Sequence, residues 1–271
     1  MTEEKSMETI NFDKIGITDD VMFGSVFRNK DDCKEFLQRI MDIEISELHI
    51  VEEQKSLKIR FMGKGVRIDV YVRDKQGNSY DIEMQISNTH ELELRSRYYH
   101  SEMDSYQIKQ GQKYKNLKRS VVIFVCGFDM FQENRSIYTF ETVCRQNPSI
   151  VLNDKRITYF VNIHGDRNDM DQNTVNLLDY FKTGEPTDPY TRRLQQQVER
   201  IRSDDEWREN YMTFEMKLDQ RFEDGKQLGR AEGEKNRDRN LILKWVQKGK
   251  TVSEMAEDLE KPEDYVRELM K

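Results

Sequence analysis

The residues best suited to chemistry lie in GVRIDVYVRDKQGNSYDIEMQIS, positions 65–87. Two alternating runs flank Asp74-Lys75-Gln76-Gly77-Asn78, whose Gly and Asn suit a hairpin loop. A period of two puts Ile68, Val70 and Val72 on one face of the first strand and Asp69 and Tyr71 on the other. On the second strand Tyr80, Ile82, Met84 and Ile86 lie together, opposite Asp81, Glu83 and Gln85. Pairing Arg73 with Ser79 across the loop sets Asp69 directly opposite Glu83, with Cβ atoms about 4.5–5.5 Å apart. Like charges so placed repel unless a cation lies between them. Mg²⁺, typically held by one or two carboxylates with water and a substrate phosphate, fits that need. The same pattern also reads as the solvated polar face of an antiparallel sheet. A slip of one residue sends the two carboxylates to opposite faces, so the register is a testable expectation.

The surrounding elements must hold that hairpin in a sheet. Strands are expected at Glu47–Gln54, Lys58–Phe61, Val66–Arg73, Ser79–Ile86, Ser120–Gly127, Ile137–Val143 and Ile157–Ile163, with a helix between Thr89 and Gly111. Before them, Thr18-Asp19-Asp20 precedes an i, i+4 pair Phe23/Phe27, and Asp31-Asp32 precedes Phe36, Leu37, Ile40 and Met41, which marks two capped helices. After them the pattern is helical, over Asn173–Phe181 and from Pro189 to about Phe222. Gly225, Gly229 and Gly233 then recur every fourth residue, either as a solvated, easily frayed linker helix or as a close helix contact. Leu241–Trp245, the capping box Thr251–Glu254 and the break at Lys261-Pro262 outline a small terminal helical module.

Composition narrows the function classes. The chain has 271 residues, with 35% charged, 36% hydrophobic and a net charge of −7. The strand-like runs concentrate in 18–185, which leaves 190–271 charged and helical. No run approaches the ~18 apolar residues of a membrane span, and the start lacks a signal-peptide core. Cys33, Cys126 and Cys144 make no C-x-x-C pair, and the 4 histidines have no metal spacing. These features exclude a membrane protein, a disulfide scaffold and a zinc finger, and they predict a cytoplasmic protein with reduced thiols.

The acidic average conceals a basic segment. Residues 95–119 carry Arg95, Arg97, Lys109, Lys113, Lys115, Lys118 and Arg119 against Glu102 and Asp104, interleaved with Tyr98, Tyr99, Tyr106 and Tyr114. Arg95, Arg97, Lys109 and Lys113 are candidate phosphate contacts on DNA, with a solvated basic face as the plainer reading. Leu92, Tyr99, Met103 and Tyr106 share one helical face, so part of the aromatic set belongs to the core. The terminal helix PEDYVRELMK is too acidic for a major groove. Leu241, Trp245, Leu259 and Leu269 are better suited to self-association or another partner.

The D-x₁₃-E-x-Q pattern resembles the core of the PD-(D/E)XK nuclease superfamily. DDVMFGSVF (19–27), RIDVYVRDKQGNSYDIEMQ (67–85), RSRYYHSEMDSYQIKQGQKY (95–114) and EDGKQLGRAEGEK (223–235) together resemble the PD-(D/E)XK nuclease family transposase, or Rpn-type recombination-promoting nuclease. That resemblance implies an α/β fold: a restriction-endonuclease-like core, with a mixed central sheet flanked by helices, and a C-terminal helical extension. The expected divisions are a nuclease-like domain over 15–185, a helical linker over 186–235 and a helical module over 236–271. The resemblance further implies Mg²⁺-dependent hydrolysis of DNA phosphodiesters, with Asp69 and Glu83 as ligands, Asp20 as an additional acid and Gln85 at the usual lysine position. Asp19 and Glu35 are alternatives to Asp20, which equally suits a helix cap. Gly24 stands where relatives often carry lysine. Neutral Gln85 can hydrogen-bond but cannot act as a base, which favours as the alternative an inactive member that binds DNA or protein.

Overall fold

The computed structural model describes residues 10–50, 70–168 and 170–270. Among them, a six-stranded mixed sheet runs in the order β1-β2-β3-β4-β8-β5. Its strands are β1 (Leu48–Ile50), β2 (Val70–Asp74), β3 (Ser79–Gln85), β4 (Ser120–Cys126), β5 (Ile137–Phe140) and β8 (Arg156–Asn162). The expected strand Lys58–Phe61, Asp69 with the start of the strand expected at Val66–Arg73, and the end of the strand expected at Glu47–Gln54 lie outside the described residues. β2 and β3 form the antiparallel hairpin with Arg73 opposite Ser79 and Val70 opposite Ile82, which is the expected register. Gly77 takes φ +85° in its loop, and the Asp74 carboxylate accepts from the Asn78 backbone N–H at 2.9 Å and the Tyr80 hydroxyl at 2.8 Å.

β3 and β4 are parallel, so the chain must cross over between them, and α3 (Leu92–Gln107) makes the crossing. β4 is buried along its whole length, as a central strand with both faces covered must be. On one face α3 covers Tyr71, Val122, Phe124, Cys126 and Phe160, with Leu92, Tyr99 and Met103 as its contribution. The other face meets α1 (Asp20–Val26), with α2 (Lys30–Met41) against β1. Phe23, Phe27 and Phe36 from these helices gather with Phe181 of α4 (Gln172–Thr183).

Asn29, rather than Asp31 or Asp32, caps α2, accepting from the backbone of both. The two aspartates instead fill the first turn, where the helix dipole favours negative charge. The segment Pro189–Phe222, expected as one helix, breaks at Ser203-Asp204 into α5 (Pro189–Arg202) and α6 (Asp205–Gln247). A small hairpin of β6 (Val143–Cys144) and β7 (Asn147–Val151) was not foreseen, because β7 is exposed throughout and shows no buried face.

The chain divides into two compact units after Arg208. The first therefore includes α5, which the sequence placed in the linker. The physical reason is a set of contacts to α2: Tyr190 donates to the Asp32 carbonyl at 2.6 Å, and Arg193 pairs with Asp32 and Glu35, each at 2.6 Å. In the second unit α7 (Val252–Leu259) and α8 (Glu263–Leu269) pack with the end of α6. Thr251 and Glu254 form the expected capping box. Among the described residues, an added Cβ at Gly225, Gly229 or Gly233 would meet nothing within 4 Å, which matches the solvated-helix reading.

Candidate active site

β3 places Asp81, Glu83 and Gln85 on the face covered by α3, beside Val122, Phe124 and Cys126 of β4. Asp81 and Glu83 are buried, at 0% and 1% exposure, while Gln85 at the strand end is half-buried. Burying such carboxylates requires compensating charge and hydrogen bonds. Arg95, in the first turn of α3, supplies both. Its Nη2 lies 2.9 Å from Glu83 Oε2, and its Nη1 donates to Gln85 Oε1 at 2.8 Å. The same guanidinium donates to the Tyr99 hydroxyl from Nε at 3.1 Å and from Nη2 at 2.7 Å. It also stands 5.5 Å from the Tyr99 ring centre and 5.8 Å from that of Phe124.

Electrostatics follow from that packing. Burial opposes the Arg95 charge, but Tyr99, Glu83 and Asp81 outweigh it and raise the arginine above its ordinary pKa. Burial, then the charges of Glu83 and Asp81, keep the Tyr99 hydroxyl protonated far above the usual range. Burial also pushes the Cys126 thiol up to about 12, so it contributes no thiolate. The Gln85 amide is held at both ends, since its Nε2 donates to the Met84 carbonyl at 2.8 Å.

The other sequence candidates are distributed unevenly. Asp69 lies outside the described residues. Asp20 is exposed at the start of α1, and the cap is its neighbour Asp19, which accepts from the Met22 backbone at 2.9 Å. Glu35 is held by Arg39 and Arg193. Among the described residues no three His, Cys, Asp or Glu side chains converge closely enough to hold a metal, so Asp20, Asp81 and Glu83 form no such group. The donors near Glu83 are nevertheless carboxylate and amide oxygens, the kind a hard cation such as Mg²⁺ takes.

The basic residues also separate. Arg95 joins the Glu83 end of β3 and Arg97 is exposed nearby on α3. Lys109 and Lys113 are exposed beyond the other end of α3, where Gln107 donates to Ser79 at the start of β3. That strand start and Gln85 are about 20 Å apart at the rise of a strand. Of the four tyrosines, Tyr99 is buried, Tyr98 and Tyr106 pack against the core, and Tyr114 is open to solvent.

Neither the Arg95–Glu83 pair nor the burial of Asp81 as a second acid follows from the sequence. The signal for Asp81 was present in the alternation, which put it on the Glu83 face. No match was found among curated proteins or among solved structures. The family model for PD-(D/E)XK nuclease family transposase matches residues 20–222, which contain the described hairpin, the crossover helix and Glu83-x-Gln85, and the chain belongs to that family.

Proposed function

We propose that this chain is a Mg²⁺-dependent endodeoxyribonuclease that hydrolyses DNA phosphodiester bonds in the cytoplasm. The observation that carries the reading is the buried Glu83, followed by Gln85, on a strand whose partner runs in the register expected for Asp69 opposite Glu83. In this reading Asp69 and Glu83 hold the cation, with Asp20 as a further acid drawn on by substrate or metal. Bound Mg²⁺ would neutralise phosphate charge and make water a better nucleophile at neutral pH. Gln85 orients by hydrogen bonding and takes no proton. Arg95 and Arg97 receive phosphate close to Glu83, while Lys109 and Lys113 contact the duplex farther along its backbone. Plasmid nicking by wild type, Asp69→Ala and Glu83→Ala tests the reading. Mg²⁺-dependent nicking should fall at least about a hundredfold in both variants. Equal nicking by all three proteins would sink the assignment.

One observation favours a second reading. Gln85 already has both amide ends engaged, by Arg95 and by the Met84 carbonyl, as a structural residue would. A member that binds DNA or protein without cutting predicts retention of a labelled duplex with no products under any divalent cation.

The C-terminal helices complete the proposal as a self-association element. Leu269 is buried in its own module, and Trp245 and Leu259 pack against that core. Light scattering of the full chain and of residues 1–222 decides the point; equal oligomer numbers would remove it.

A further inference from the structure

The lysine of the E-x-K motif places a positive charge beside the metal-binding acid, and Gln85 cannot supply it. Resting on the nuclease reading above, we propose that Arg95 carries this charge from α3, and that position 85 is neutral because the guanidinium lies against it. Arg95 then orients Glu83 and Gln85 and also faces the incoming phosphate.

Four features support this. First, a single guanidinium touches both motif residues, with Nη2 on Glu83 and Nη1 on Gln85. Second, the contact dictates the Gln85 amide orientation. Arginine only donates, so Oε1 must face it, and the amide nitrogen turns to the Met84 carbonyl. A lysine at 85 would bring an ammonium to a place where an acceptor is needed, against a like charge. Third, Arg95 is held before any substrate arrives, through the Tyr99 hydroxyl and the faces of Tyr99 and Phe124. Fourth, the Arg95 side chain is 23% exposed whereas Glu83 is 1% exposed. An approaching phosphate therefore meets the arginine before the acid. Arg97, Lys109 and Lys113 are exposed, and none shares the bonds that Arg95 makes to the motif.

The test separates the electrostatic role from turnover. Mn²⁺ is titrated by calorimetry at pH 8 into the full-length wild type, R95Q and R95K. Losing a like charge near the acid should tighten Mn²⁺ about fivefold or more in R95Q, with R95K close to wild type. Unchanged or weaker binding by R95Q, or tightening by R95K as large as that of R95Q, overturns the proposal. Nicking then adds a double-mutant cycle. Q85K and R95Q should each lower kcat roughly a hundredfold with KM within about threefold, and Q85K/R95Q should recover to within about tenfold of wild type. A double variant no better than the poorer single overturns the proposal. A wild type that binds Mn²⁺ without nicking defeats the nuclease reading alone, and the R95Q and R95K binding comparison then decides the role of Arg95. A wild type that binds no Mn²⁺ overturns both.

Discussion

At the residue scale, buried polar groups make their effects measurable through pH. His100 on α3 lies 2.6 Å from the Ser120 hydroxyl through Nδ1 and 3.0 Å from that of Thr158 through Nε2. Burial first, then the Arg156 charge, lowers its pKa to about 4 from 6.5. The folded protein thus keeps this imidazole neutral while the unfolded chain takes up a proton. Stability should fall as pH drops from about 6.5 to about 4, by up to about 3 kcal/mol, and should be insensitive to this group above pH 7.5. Melting temperatures of wild type and His100→Gln across that window check the prediction; parallel slopes for the two proteins would assign the pH dependence elsewhere. For the Glu83–Arg95 pair the cost lies in separating the partners, since a buried charge left without its counter-charge is destabilising. Glu83→Gln should therefore reduce both Mn²⁺ binding and the hold on Arg95.

At the scale of elements, turn chemistry and ion pairs act at separate points. Gly77 occupies a left-handed conformation that alanine adopts only with strain, so Gly77→Ala should cost about 1 kcal/mol. Asp74→Ala should cost more, about 2–3 kcal/mol, because it leaves the Asn78 N–H and the Tyr80 hydroxyl without their acceptor. Chemical denaturation ranks the two, and the reverse order would show that backbone strain outweighs the lost bonds. Docking of α5 depends on Arg193, whose partner Asp32 is 1% exposed. Arg193→Ala should destabilise the first unit by about 1–2 kcal/mol, less than a fully buried pair because the arginine is half in water. A change below about 0.5 kcal/mol would mean that Tyr190 and the pair of Arg39 with the helix-capping Asp188, at 2.6 Å, hold the helix without it.

At the scale of the whole molecule, the acidic net charge and the basic helix–loop segment act over different ranges. Net charge weakens nonspecific attraction to DNA, whereas local cations govern counterion release. Replacing Lys109 and Lys113 by alanine should reduce the slope of log K against log salt by about 1 per residue, with no effect on Mn²⁺ binding. An unaltered slope would remove these two from the interface. The second unit has a separate small core of Ile242, Met255, Ala256, Val266 and Leu269. Leu269→Ala should lower the stability of that module by about 2–4 kcal/mol, seen as a displaced transition, without altering nicking. Loss of nicking in this variant would tie the module to catalysis.

Much of this was legible because local rules and tertiary demands coincide. Alternation in β2 and β3 fixes which side chains share a face, and a slip of one residue would swap Val70 and Val72 with Tyr71 between two covered faces, so the pairing of Arg73 with Ser79 could be expected before any fold was known. The helix joining β3 to β4, the Thr251 capping box and the placement of Glu83 and Gln85 on one face were likewise written in period and spacing, whereas the parallel pairing of β3 and β4 came from the fold. The β6–β7 hairpin was not, because exposed strands carry no burial pattern. Nor were the contacts of Arg193 with Asp32 and of Arg95 with Glu83. An ion pair depends on where two elements meet in space, and sequence period describes only one element at a time. The sequence by itself determined the motif face and the family; only tertiary packing decided that an arginine from the crossover helix would answer the buried acid.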